Sequence, residues 1–328
     1  MYNSSMDKNV LVTGGAGYIG SHICKELAKN GFTPIVIDNL SSGHKDFVKW
    51  GPLIVGDITN KQELEKVFSN FDIKLVIHLA AKASVSESMS NPIKYYEENI
   101  HGTTNLLELF LVNNGKVLIF SSSCAVYGEK DSGSITEDSP LEPINPYGFS
   151  KLASEKLIKY LKLRHEFNFS ILRYFNAAGA DPDQELGEKH FNETHVIPLL
   201  INSVLKNYPF IINGSDFRTP DGTAIRDYIH VSDLAKAHVL ALEYNLNNLQ
   251  DLTCNLGTGY GVSVLDLVNE LSKITSNVDF IYSNRRPGDP AILVADSKLA
   301  RSELNWEPVN SNLSTIFETA LNWHKRTI

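Results

Sequence analysis

Asn9-Val10-Leu11-Val12-Thr13-Gly14-Gly15-Ala16-Gly17-Tyr18-Ile19-Gly20 decides the fold. Its first five residues are an apolar run of strand length, and the glycines then interrupt it. The pattern predicts a helix over 21–30 closed by Gly31, then a second buried strand over 33–37 ending in Asp38 and Asn39. That is a βαβ unit. Gly14, Gly17 and Gly20 are spaced Gly-x-x-Gly-x-x-Gly rather than in the commoner Gly-x-Gly-x-x-Gly fingerprint, but the physics is shared. A tight turn lets backbone approach a pyrophosphate, and a helix N-terminus faces the anion. An acid at the end of the second strand suits a ribose 2′-hydroxyl and would repel a 2′-phosphate, so Asp38 points to NAD rather than NADP.

The alternation continues outward. Strands are expected over 53–55, leading to Gly56, Asp57 and Ile58; over 75–79, followed by the small Ala80 and Ala81; over 116–120, opening into Ser121, Ser122 and Ser123; and over 170–174, ending in Phe175 and Asn176. Helices are expected over 61–69, over 95–113 carrying Asn99, and over 152–167. Hydroxyls at the C-terminal end of a parallel strand lie where open α/β sheets place ligands, although a capping turn would use the same residues. Beyond Asn176 the texture changes. Residues 177–193 read as a loop, 226–231 as a return to the main sheet, 195–207, 232–244 and 263–275 as helices, and 299–328 as an amphipathic helix whose Trp306 and Trp323 pack. The expected fold is α/β: a Rossmann-type doubly wound parallel sheet with a smaller C-terminal α/β substrate lobe. Residues 1–176, with 225–256 returning, form the first unit; 177–224 and 257–328 form the second.

With 328 residues, the chain is long enough for one large α/β unit or two lobes. A net charge of −8 disfavours nonspecific binding to nucleic acid or a membrane surface, so an anionic substrate needs a local basic pocket. Cys24, Cys124 and Cys254 are odd in number and far apart, giving neither a disulfide framework nor a metal-ligand pair; they read as buried small hydrophobes. No metal site is expected. The polar start, 1–8, reads as a frayed leader, and no run reaches the ~18 apolar residues of a membrane span. A reducing cytosol is the simplest location.

The chemistry centres on Tyr147 and Lys151. Three prolines in 138–146 make a stiff loop that delivers them, and a spacing of four puts both on one helix face. A free phenol, with a pKa of about 10, is a poor base at neutral pH. A neighbouring ammonium and a cationic nicotinamide would favour the phenolate.

Together, the glycine turn, Asp38, Gly56-Asp57-Ile58, Ser121-Ser122-Ser123, Tyr147-x-x-x-Lys151 and Arg173-Tyr174-Phe175-Asn176 resemble the extended short-chain dehydrogenase/reductases. Residues 11–21, 226–231, 285–289 and 303–306 resemble the branch that interconverts UDP-galactose and UDP-glucose at C4. The resemblance implies that Tyr147 takes the proton from the sugar O4, that Lys151 holds the phenol pKa down and binds the nicotinamide ribose, and that Ser123 orients or shuttles the O4 proton. A transient 4-keto sugar would turn over and take hydride back on its other face, leaving NAD regenerated and bound. Arg226 and Arg286 would grip the diphosphate, where fork-shaped donors suit anionic oxygens. Asp289 would take the uridine ribose and Asn176 the substrate. Gly14, Gly17, Tyr18, Ile19, Gly20, Asp38, Asn39, Asp57, Ile58, Ala80, Ala81, Lys82, Asn99, Ser121 and Phe175 would line the NAD site. A homodimer is implied by the resemblance alone.

Three departures limit the carry-over. Some members have a cofactor lysine one place later than Lys82, which leaves that contact open. His195 stands where others have a substrate-binding asparagine, and contacting uridine or opening the 194–207 segment are equal readings. Leu293 replaces a tyrosine that blocks N-acetylated sugars in some members, so weak acceptance of UDP-N-acetylhexosamines is expected. Among rival readings, a sugar-nucleotide dehydratase needs a carboxylate in the serine turn, where Ser122-Ser123-Cys124 has none. A UDP-uronate 4-epimerase stays as the alternative, although assigning Arg226 and Arg286 to the diphosphate leaves no obvious partner for its carboxylate. A non-catalytic NAD-binding protein would not need an intact serine, tyrosine and lysine.

Overall fold

The computed structural model describes residues 8–129, 133–275 and 278–327. The polar segment 1–7 lies outside them. The chain opens with β1 (Asn9–Thr13), α1 (Tyr18–Lys29), β2 (Thr33–Asp38), β3 (Leu53–Val55), α2 (Lys61–Asn70) and β4 (Leu75–His78). Next come α3 (Val85–Ser90), α4 (Pro92–Tyr95), a π-helical segment (Tyr96–His101) and α5 (Gly102–Val112). The first half closes with β5 (Val117–Ser123), α6 (Pro146–Lys162) and β6 (Asn168–Tyr174). The second half contains β7 (Asn176–Ala178), α7 (Val196–Leu205), β8 (Phe210–Asn213), β9 (Ile225–Arg226), β10 (Tyr228–His230), α8 (Val231–Asn248) and β11 (Leu252–Leu256). It ends with β12 (Val262–Ser263), α9 (Val264–Ile274), β13 (Phe280–Ser283), β14 (Ile292–Leu293), α10 (Lys298–Leu304) and α11 (Leu313–Thr327).

Seven strands form one parallel sheet in the order β11-β6-β5-β4-β1-β2-β3. Its two faces follow from the alternation of side chains along a strand. Val10, Val12, Val36, Ile77, Ile119 and Leu172 pack with Ile23 and Leu27 of α1 and Leu234 and Leu242 of α8. Leu11, Ile35, Ile37, Val76, Leu118 and Ile171 pack with Leu64 of α2, Phe110 of α5 and Ile158 of α6. The sheet is therefore doubly wound. Chain order reverses between β1 and β4, and that switch point opens a crevice at the C-terminal strand ends. A separate core of Leu200, Phe210, Ile212, Leu267, Leu271, Phe317 and Leu321 belongs to the C-terminal elements.

Some expectations need correction. Residues 225–230 do not rejoin the main sheet: β9 pairs with β12 and β14, and β10 pairs with β7. The chain returns by packing α8 on a face of the large sheet and then adding β11 to its edge. The tail is two helices rather than one, because Asn305 adopts φ 47° and a loop with Pro308 follows. Trp306 fills that break, fully buried, with its Nε1–H donating to the Asp233 carbonyl at 2.9 Å. The three serines lie within β5 rather than after it.

Candidate active site

The glycine turn between β1 and α1 fits a close-lying ligand backbone. Gly14 has φ +74°, and a Cβ there would meet the Ala80 nitrogen at 2.9 Å; one at Gly20 would lie 2.2 Å from the Gly14 carbonyl oxygen. Helix α1 begins at Gly17 with no side-chain cap, so its first-turn amides remain available to an anion. Beside it is a cleft of about 210 Å³, lined by Gly14, Gly17, Tyr18, Ile19, Gly20, Asp38, Asn39, Asp57, Ile58, Ala80, Ala81 and Lys82. Asp38 accepts the Ala16 and Leu40 N–H groups at 3.0 and 2.8 Å; burial raises its carboxyl above the usual range, against the pull of those bonds. Asp57 is fixed by the Asn39 amide at 2.8 Å and by the Thr59 hydroxyl at 2.7 Å. Lys82 reaches the Ser41 hydroxyl at 3.0 Å.

Asn99 is buried behind this wall. Its amide brackets the Lys82 backbone, accepting the N–H at 2.8 Å and donating to the carbonyl at 3.0 Å, so it shapes the cleft from outside. Ser121 is likewise behind the wall, its hydroxyl against His238 Nε2 at 2.9 Å and its carbonyl accepting from Lys151 Nζ at 2.8 Å.

A second cavity, about 360 Å³, adjoins the first and shares Tyr18, Ile19, Ala83, Tyr174 and His195 with it. Ser123, Tyr147, Phe175, Asn176, Arg226, Arg286, Asp289 and Leu293 all line it. Tyr147 is held there by its helix start. Asn145 caps α6 by accepting the Gly148 N–H at 2.8 Å, and Pro146 occupies the first turn. A Cβ on Gly148 would come within 2.4 Å of the Ala125 carbonyl, so glycine lets α6 press against the turn after β5. That contact sets Tyr147 beside Ser123 on the wall of the same cavity.

The protein's own groups do not make Tyr147 a strong base. Burial pushes its phenol up to about 12, with only the Ser123 hydroxyl pulling it down. Lys151 aims at the Ser121 carbonyl and over the Phe120 ring, rather than at the phenol, and burial lowers its ammonium to about 8 against the nearby Glu155 carboxylate. Lys151 is not among the groups that shift the phenol here; desolvation is the largest cause.

Two arginines line the same cavity as Tyr147 and have no carboxylate partner among the described residues. Arg226 Nη1 donates to the Ile225 and Ala291 carbonyls at 2.8 and 3.3 Å. Arg286 is held by the Asn213 amide oxygen at 3.1–3.2 Å. His195 caps α7 without a side-chain capping bond and turns to Glu188 instead; desolvation opposes its charge, but the Glu188 and Glu193 carboxylates outweigh it and hold the half-exposed imidazole up at about 9.

The sequence profile of the NAD dependent epimerase/dehydratase family matches residues 10–257. The chain belongs to this family. UDP-glucose 4-epimerase of Rhizobium meliloti (strain 1021) is 45% identical over 322 residues, covering 98% of each chain. A crystal structure of UDP-glucose 4-epimerase from Brucella ovis in complex with NAD superposes with TM-score 0.91 at 45% identity, covering 96% of this chain and 97% of that one. The UDP-Glc/GlcNAc 4-epimerase of Campylobacter jejuni superposes with TM-score 0.84 at 37% identity, covering 97% and 99%. For a member of the NAD dependent epimerase/dehydratase family, the glycine-turn cleft is the one whose shape suits the dinucleotide.

Tyr174 is the site residue that sequence reasoning did not single out. It lines both cavities, and burial pushes its phenol far up, with the Ser121 hydroxyl opposing. Its signal was available: it ends β6, beside the end of β5, where a doubly wound sheet exposes ligands. The 83–86 wall and Asn213 had no such signal, because they reach the cavity only through tertiary packing.

Proposed function

We propose that this protein interconverts UDP-galactose and UDP-glucose by inverting C4 through a transient 4-keto sugar, with NAD held in the glycine-turn cleft. The observation that carries the reading is the junction of the two cavities, with Tyr147 and Ser123 on the wall of the second and Tyr174 common to both. When bound, NAD supplies the hydride acceptor and then the donor, and its cationic ring supplies the positive charge that Tyr147 lacks in its own surroundings. Tyr147 takes the O4 proton, Ser123 orients that hydroxyl, and Lys151 presents an ammonium to the cofactor ribose. Gly14, Gly17, Tyr18, Ile19, Gly20, Asp38, Asn39, Asp57, Ile58, Ala80, Ala81, Lys82 and Phe175 hold the dinucleotide, backed by Asn99 and Ser121. Arg226 and Arg286 hold the diphosphate, Asp289 the uridine ribose and Asn176 the substrate, while the sugar turns. His195 sits where the two ligands approach.

Leu293 leaves more room than tyrosine would, and weak turnover of UDP-N-acetylhexosamines is expected; Leu293→Tyr should remove that turnover and keep the glucose series. Assembly as a homodimer is supported by exposed Met89, Ile93, Tyr96 and Phe149 on neighbouring elements, the last two stacked at 5.6 Å. Light scattering on the eluted protein tests it. Three free, buried cysteines suit a reducing cytosol. Among the described residues, no helix is long and apolar enough to cross a membrane.

The deciding experiment supplies UDP-galactose without added cofactor and follows the anomeric proton signals by NMR. Conversion to UDP-glucose is the expected outcome. No conversion even after NAD is added would transfer the reading to uronate or N-acetyl sugars.

A further inference from the structure

Between β7 and α7 the chain reads Gly187-Glu188-Lys189-His190-Phe191-Asn192-Glu193-Thr194-His195. Two Glu/His pairs recur there, and the fold turns all four side chains onto one point. One ligand atom from each of Glu188, His190, Glu193 and His195 lies within 4.8 Å of the others. His190 Nδ1 is 3.4 Å from Glu188 Oε1 and 3.3 Å from Glu193 Oε2; His195 Nδ1 touches Glu188 Oε1 and is 3.7 Å from Glu193 Oε1. A tetrahedral ion bound at about 2.0–2.2 Å would hold its ligand atoms roughly 3.3–3.6 Å apart. His190 Nδ1 therefore has the spacing of a ligand edge to both carboxylates, the 3.3 Å contact to Glu193 being also a long hydrogen bond.

Charge points the same way. Glu188 is 4% exposed, and among the described residues neither Glu188 nor Glu193 has an ion pair with lysine or arginine. Two carboxylates facing one another at this depth need positive charge between them, and the two imidazoles are the only groups in the cluster that can carry it or help bind it. The neighbouring trio Asp181, Asp183 and Glu185 makes the contrast. There the Lys25 ammonium already occupies the centre, 2.8 Å from each carboxylate, and no imidazole is present.

We propose that Glu188, His190, Glu193 and His195 form a binding site for a divalent transition-metal ion of the zinc class. Two imidazoles and two carboxylates whose ligand atoms converge within 4.8 Å suit such an ion, whereas calcium and magnesium prefer larger all-oxygen shells. The frame around the site is already in place. Trp323 Nε1–H donates to the Glu188 carbonyl at 3.0 Å, and Glu193 Oε1 accepts the Thr194 and His195 N–H groups at 2.8 Å. His44 meets the Lys189 carbonyl at 2.6 Å and packs its ring on Phe191. Such supports orient ligands around an ion.

His190 lines the first cleft and His195 lines both cavities, so the ion would staple the segment that borders the two. It would also fix His195 with Nδ1 turned away from the ligands, making His195 a positioning residue. The site does not depend on the epimerase reading.

The test uses the full chain, free of purification tags and stripped by chelator, exposed to zinc alone and desalted. Elemental analysis should find about one zinc per chain, falling to about a tenth or less in His190→Ala/Glu193→Gln. Cobalt in place of zinc should give the intense visible bands of a tetrahedral ion in the unaltered chain, a readout that needs no variant to fold. Wild-type protein that retains no zinc, a variant that retains as much as wild type, or a weak six-coordinate cobalt spectrum would each overturn the proposal.

Discussion

Tyr147, the proposed base, shows how much of such a group's character is set by what surrounds it. The phenol is buried, pushed up to about 12, and has one lowering partner in the protein, the Ser123 hydroxyl. A base so placed works only when a positive charge is brought beside it, which couples proton removal to cofactor binding. Tyr147→Phe removes the acid/base group and leaves the helix cap at Asn145 and the packing at Gly148 untouched. Turnover should fall by about 10²–10⁴-fold with bound NAD retained, as read by initial rates and by the cofactor released on denaturation. Near-normal rates would remove Tyr147 as the base.

Helix α6 carries this chemistry and is anchored by a pair one turn beyond Lys151. Glu155 and Arg173 of β6 form a two-pronged pair at 2.9 and 2.6 Å, both side chains no more than 2% exposed, and Ser122 Oγ–H donates to the same carboxylate at 2.5 Å. Arg173 continues to the Tyr127 hydroxyl at 2.9 Å. Glu155→Ala would leave a buried guanidinium without its counter-charge, costing about 3–5 kcal/mol, whereas Glu155→Leu with Arg173→Met should recover most of it. Urea denaturation of the single and double variants measures both, and a single variant within about 1 kcal/mol of wild type would show that the pair does not anchor the helix. The same network explains what was legible in the sequence. The β1–turn–α1 unit could be read because glycine spacing and apolar runs are local signals. The extension of β5 through Ser123 could not, since Ser122 is satisfied inside the protein by Glu155, 33 residues away. The two-residue strands β9, β12 and β14 carry no periodicity at all, and the break before α11 depends on Trp306 reaching the Asp233 carbonyl. The candidate site read better than the C-terminal lobe because its residues cluster at strand ends and one helix start.

At the scale of the molecule, two consequences follow from how deeply the sheet and lobes are joined. Burial lowers His22, His230 and His238 to about 4 and His78 to about 3. These groups stay neutral in the fold while the unfolded chain takes up protons below about 6.5, so stability should drop as pH falls from about 6.5 towards 4, by about 1.4 kcal/mol per pH unit for each fully engaged group. Asp38 and Asp227, raised by burial, act in the opposite sense and offset part of this loss. Urea midpoints at about pH 7 and pH 5 should differ clearly, and equal midpoints would mean the histidines are not neutral in the fold. The second consequence concerns division of labour across the cavity. Tyr147 comes from α6, packed on the large sheet, whereas Arg286 precedes β14 and is braced by Asn213 at the end of β8, both in the smaller C-terminal elements. In the proposed reaction a sugar must turn over while its diphosphate stays fixed, so Arg286 should contribute binding energy that is alike in the ground and transition states. Removing such uniform binding raises KM and leaves kcat nearly unchanged. A guanidinium–anion bond is worth about 1.5–3 kcal/mol, so Arg286→Ala should raise KM by roughly 10–150-fold. Lysine, a point charge without the planar fork, should restore only part of the loss. Steady-state kinetics on the three proteins separates the cases: a fall in kcat at constant KM would place Arg286 in the chemical step, and no change in either would leave it a structural arginine on the cavity rim.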